Sequence, residues 1–159
     1  MKAVSLPEIK KELNRLSTSQ IQELCLRLAR FKKDNKELIS YLLFESHNET
    51  NYIETIKCYI DEEFEIINTS SFFYIRKSVR KILRNLKKYS RYSQKKETEV
   101  EILLHFCIKL KNFKPDIKQS NQLKNMYNRQ ILLCKKIIET LHHDLQYDYN
   151  LILTNLKFI

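Results

Sequence analysis

The chain of 159 residues carries 29 Lys plus Arg against 19 Asp plus Glu, a net charge of +10, and contains no glycine and only two prolines, Pro7 and Pro115. Without glycine, the positive-φ turns of β-hairpins and the Gly-rich loops that cradle phosphates lose their usual residue, which excludes β-rich and α/β classes, P-loops and dinucleotide fingerprints. An apolar fraction of 43% is that of a folded chain, and the length suits a single all-helical domain over residues 1–159.

Helix starts follow one another quickly at the N-terminus. In "SLPE" Ser5 is a cap with Glu8 three residues on and Pro7 in the first turn, opening a short helix with Ile9, Leu13 and Leu16 on one face. Ser17 restarts the pattern with Gln20 in the capping-box position, and Ile21, Leu24, Cys25, Leu28 and Ala29 form the next apolar stripe. "DNKELISYLLF" restarts it again at Asp34 with Glu37, burying Leu38, Tyr41, Leu42 and Phe44.

A fourth helix is expected from about Thr50 to Ile67, with Ile53, Ile56, Ile60, Phe64 and Ile67 at the spacing of one buried face. "NTSS" breaks it, and a fifth runs from Ser71 to Tyr92. The sixth begins near "QKKETE", buries Val100, Leu103, Leu104, Cys107 and Leu110, and stops before Pro115. The last long segment, Ser120 to His143, uses Leu123, Met126, Tyr127, Ile131, Cys134, Ile138, Leu141 and Leu145, with a terminal turn or short helix in "DYNLILTNLKFI". With Asn35, Asn48, Asn68 and Asn112 as the residues to end helices in place of glycine, short linkers make successive helices antiparallel hairpins. About seven such helices form either a globular bundle or a short HEAT-like α-α superhelix, though no clean internal repeat is present.

Cys25, Cys58, Cys107 and Cys134 form no C-x-x-C pair and each falls among apolar residues, which reads as reduced, buried thiols in a cytosolic protein. "MKAVSLPEIKKEL" has no run suited to a signal peptide, and no segment approaches the ~20 uncharged apolar residues of a membrane span. The expectation is a cytoplasmic protein away from membranes. No nucleophile with a neighbouring base is recognisable, and His142 and His143, adjacent on a helix, would point about 100° apart, away from any one ion. The chain is read as non-enzymatic, with no metal and no cofactor. Glu63 leans toward the apolar arc of the fourth helix and needs a partner such as Arg80 or Tyr89.

Charge supplies the functional hint. Residues 76–96 hold ten basic residues and no acidic one, so the rest of the chain balances at 19 of each. At about 100° per residue, Arg76, Lys77, Arg80, Lys81, Arg84, Lys87, Lys88 and Arg91 fall within roughly 140°, opposite Ile75, Val79, Ile82, Leu83, Leu86 and Tyr89. Tyr74 and Tyr92 lie on the border as stacking candidates. Such a face suits an anionic partner, nucleic acid or an acidic protein, because regularly spaced cations displace a polyanion's counterions. The alternative is a protein–protein scaffold or adaptor whose basic face is only solvated surface. Glu54, Asp61, Glu62, Glu63 and Glu65 of the preceding helix would then quieten that face through surface pairs worth ~0 to 1 kcal/mol each.

Overall fold

The computed structural model describes residues 2–156 and 158. Among these there are eight α-helices and no strand: α1 (Leu6–Leu13), α2 (Thr18–Phe31), α3 (Lys33–Ser40), α4 (Glu49–Glu65), α5 (Phe72–Ser93), α6 (Lys96–Asn112), α7 (Asn121–Ile138) and α8 (His143–Asn155). A π-helical turn, Tyr41–Glu45, follows α3, and a 3-10 turn, Ile117–Gln119, precedes α7. The chain divides into two compact units, Met1–Phe44 and Glu45–Ile159.

In the first unit the capping boxes at Ser5 with Glu8 and Ser17 with Gln20 are formed, so α1 and α2 begin where the sequence places them. The third start differs: α3 follows α2 after the single extended residue Lys32, and Asp34 lies inside the first turn. Asn35 sits within that helix and donates its amide to the Leu28 carbonyl at 3.0 Å. Of the described residues here, Tyr41 alone is buried. Ile9, Ile21, Leu24, Leu28, Leu42 and Phe44, expected in apolar stripes, are all exposed. Helices this short have no second layer within the unit to cover them.

In the second unit, Asn48 opens α4 instead of ending a helix, its side chain accepting from the Asn51 N–H at 3.1 Å. The left-handed position at the α5–α6 corner falls to Gln94, at φ 59°. α4 and α5 are antiparallel, since Tyr52 near the start of α4 donates its hydroxyl to the Tyr89 carbonyl at 3.1 Å while Glu63 near its end meets Lys81. α4 and α6 run parallel, pairing Glu49 with Thr98 and Asp61 with His105. α8 also runs with α6, through Tyr149 to Glu101 and Lys111 to the Asn155 carbonyl.

The centre of this unit is α6. Sequence spacing gives it one buried face; in fact Ile102 and Phe106 are also buried, so it is apolar nearly all round, as a helix enclosed by neighbours must be. Phe106 packs edge-on to Phe64 of α4, centroids 5.7 Å apart, and Cys107 lies beside Cys134 of α7. That contact and burial push the Cys107 thiol far up, leaving it inert, and burial pushes Tyr127, beside the two thiols, up to about 12. Cys107 and Cys134 are buried as expected, but Cys25 and Cys58 are exposed, standing on the outer faces of α2 and α4. The last long segment also breaks earlier than its periodicity suggests: α7 ends at Ile138, and α8 is a full helix of 13 residues opening at His143.

One polar knot ties the corners together. The Glu49 carboxylate, largely buried at the start of α4, accepts from the Ser93 hydroxyl and from Thr98 Oγ1 at 2.6 Å, and lies 2.9 Å from Lys95 Nζ. Since Thr98 is fully buried, Glu49→Ala leaves hydroxyls without their acceptor and is expected to cost about 1–3 kcal/mol. Urea unfolding of that variant, against the conservative Glu49→Gln, measures it.

Candidate nucleic-acid interface

The backbone of α5 is fixed by its buried arc. Ile75, Val79, Ile82 and Leu86 are completely buried, with Leu83 and Tyr89 half-buried at the margins. With one side held, the other projects its cations in register along the helix. Lys77, Arg80, Lys81, Arg84, Lys87 and Arg91 are exposed, and Arg76 and Lys88 half-buried.

Among the described residues, the acids of α4 leave most of this face without an ion pair. Glu54 and Asp61, seven residues apart and therefore on one side of the helix, look toward α6. Asp61 lies 2.6 Å from His105 Nε2 and 3.2 Å from Lys109 Nζ, and Glu54 joins Lys57, which bridges to Glu101. Glu63, about 200° round from Asp61, faces α5, and Glu49 at the start of α4 meets Ser93 at its last residue. The partner of Glu63 is Lys81, at 3.0 Å, in place of the expected Arg80 or Tyr89. That carboxylate raises the Lys81 pKa. Among the described residues, Arg76, Lys77, Arg80, Arg84, Lys87 and Arg91 make no ion pair with any carboxylate. Arg91 instead donates Nε–H to the Lys87 carbonyl at 3.1 Å, and Lys88 lies 5.2 Å from the Tyr89 ring centre.

Beside this face α5 and α7 flank a groove of about 920 Å³. Arg80, Arg84, Lys87 and Arg91 line one wall, Lys95 and Lys96 the end where α6 begins, and Glu99 is the one acid among the lining residues. Leu83 and Leu133 supply apolar surface between the cations. The sequence names the four α5 residues. It does not name Lys95 and Lys96, although they continue the same basic run, nor Leu133, which comes from a helix forty residues on.

The remaining sequence candidates lie elsewhere. Arg76 and Lys77 extend the cationic line toward the start of α5, and Lys81 and Lys88 sit outside the groove lining. Tyr74 is exposed beside Phe73, rings 5.5 Å apart, about 15 Å along the helix from Arg84. Tyr92 packs against Tyr89 at 6.2 Å. His142 precedes α8 in extended conformation, 3.5 Å from the exposed Asp144.

The Asp61 cluster gives a pH signature separate from the groove. Burial raises the Asp61 pKa, but hydrogen bonds and attraction from His105 and Lys109 outweigh it and hold the carboxyl below its ordinary value. A depressed folded pKa contributes stability above the unfolded value, near 4, that is lost as pH falls through the lower folded one. The gap in Tm between the natural chain and Asp61→Asn is therefore expected at neutral pH and to close toward pH 2.

No helix among the described residues is long and apolar enough to cross a membrane. No family model, curated protein or solved structure matches the chain, so the geometry of α5 and its groove has to carry the functional argument.

Proposed function

We propose that the unit Glu45–Ile159 is a non-enzymatic binding module that holds nucleic acid along the cationic side of α5 and in the groove between α5 and α7. The observation that carries this reading is the run of Arg80, Arg84, Lys87 and Arg91, which line one concavity and have no carboxylate partner among the described residues. Cations left unpaired on a rigid helix keep a condensed field available to phosphates, and their spacing of three or four residues puts one about every 5 Å along the groove. The two leucines give bases an apolar surface between those charges.

Fluorescence anisotropy with labelled single- and double-stranded oligonucleotides, titrated at several salt concentrations, tests the reading. Affinity that falls steeply with salt supports it; absent or salt-independent binding refutes it. Competition by polyglutamate distinguishes an acidic protein surface, which would meet the same cations without preferring nucleic acid. The exposed apolar stripes of the first unit favour a second role in assembly.

A further inference from the structure

The unit Met1–Phe44 cannot complete a core by itself. With Tyr41 its only buried residue among those described, it is far short of what a segment of this size needs, and segments near 40 residues usually rely on disulfides, metals or association. Its longest helix, α2, shows what is unpartnered. Ile21, Leu24, Leu28 and Phe31 lie within an arc of about 80°, and all four are exposed, Phe31 to 84%. The stripe continues into an apolar groove of about 510 Å³, where Leu24 lies beside Ile9, Leu13 and Leu16.

Flanking charges select the occupant. Glu23, Arg27 and Arg30 all project on the same side of this stripe, are exposed, and make no ion pair among the described residues. The opposite flank, Thr18, Gln22, Cys25 and Ala29, carries no charge. A two-fold axis perpendicular to two antiparallel helices brings like flank against like flank. If the stripe is centred on itself, Ile21 faces Phe31 of the second copy and Leu24 faces Leu28. At that register the axis crosses at residue 26, and each Glu23 falls between the levels of the other copy's Arg27 and Arg30, within about 3 Å of each along the helix. The pattern is self-complementary, which an isologous interface requires and an unrelated helix would meet only by coincidence.

We propose that α2 is a homodimerisation helix, pairing antiparallel with α2 of a second copy of this chain. Apolar contact of the two stripes supplies the attraction, and the Glu23 to Arg27 and Arg30 pairs fix direction and register. In this arrangement the two Cys25 side chains lie on the uncharged flank, one residue either side of the axis, about 3 Å apart along the helix direction.

Two measurements on the full chain test it. The first is cross-linking with a short bis-maleimide in a Cys58→Ser background, which removes the other exposed thiol. A covalent dimer is expected, and it should disappear when Cys25→Ser is added; its failure to form overturns the register. The second is sedimentation equilibrium from nanomolar to high micromolar protein. The natural chain should dimerise with concentration, whereas Glu23→Arg alone and Arg27→Glu/Arg30→Glu alone should each stay monomeric. An equimolar mixture of those two variants should recover the dimer, because every flanking pair is then opposite in sign. A natural chain that is monomeric throughout, or a dimer indifferent to both charge reversals, overturns the proposal. Circular dichroism confirms that the variants, altered only at exposed positions, keep their helices.

Discussion

Replacing Arg80, Arg84 and Lys87 together with alanine is expected to more than halve the salt dependence of nucleic-acid binding. Six cations line the groove, and five of them, all but the Glu49-paired Lys95, make no carboxylate pair among the described residues. On a single strand each neutralised phosphate contributes about −0.7 to the slope of log affinity against log salt. Engagement of those five therefore gives a slope near −3.5, roughly a 130-fold loss of affinity between 50 and 200 mM salt, and the triple variant a slope near −1.4, roughly a 7-fold loss. The three side chains are exposed and, among the described residues, without carboxylate partners, so thermal stability should be unchanged, which separates lost binding from lost folding. Lys81→Ala is the matched control: it removes a cation of the same helix that is paired with Glu63 and outside the groove. An unchanged slope in the triple variant, or an equal fall with Lys81→Ala, would defeat the assignment of binding to the groove.

The largest effect on stability is expected from Phe106→Ala. The ring is completely buried on the central helix and packs against Phe64, and truncation of a core Phe costs about 3–5 kcal/mol in lost burial and residual cavity. That is a large share of the 5–15 kcal/mol typical of a folded domain. Leu132→Ala, next to the groove's Leu133 in the chain but half exposed, should stay within about 0.5 kcal/mol. Urea denaturation of both gives the contrast; a Phe106 variant losing under about 1 kcal/mol would mean that α6 is not the core of this unit.

What could be read in the sequence follows from how each helix is surrounded. α5 was legible on both sides because it meets the core along one arc and water along the other, so its composition alternates with the helical period. α6 was only half legible: a helix enclosed by α4, α5 and α7 keeps only a narrow polar stripe, Glu101, His105 and Lys109, and Ile102 and Phe106 then look like departures from a stripe they do not belong to. Caps were readable where a side chain satisfies a nearby N–H, as at Ser5 and Ser17, and unreadable at Lys32, where no side-chain cap marks the start. The stripes of α1 and α2 were recognised as apolar, but periodicity reports that a face needs covering and not which molecule covers it. The acids of α4 were visible as a possible neutralising set; that Glu54 and Asp61 turn to α6 depends on a crossing between non-consecutive helices. The other side of the groove, Leu133, was invisible for the same reason.

The buried arc of α5 also determines what kind of heat the groove should release. Its cations stand on a helix already ordered by four completely buried side chains, so a ligand has no backbone to immobilise and pays only for long side chains that lose rotamers. The apolar contact offered is that of two leucines, too little for the large negative heat-capacity change that marks hydrophobic or folding-coupled association. Calorimetry on this protein should accordingly find an association driven by the release of ions into bulk solvent, with a heat nearly independent of temperature.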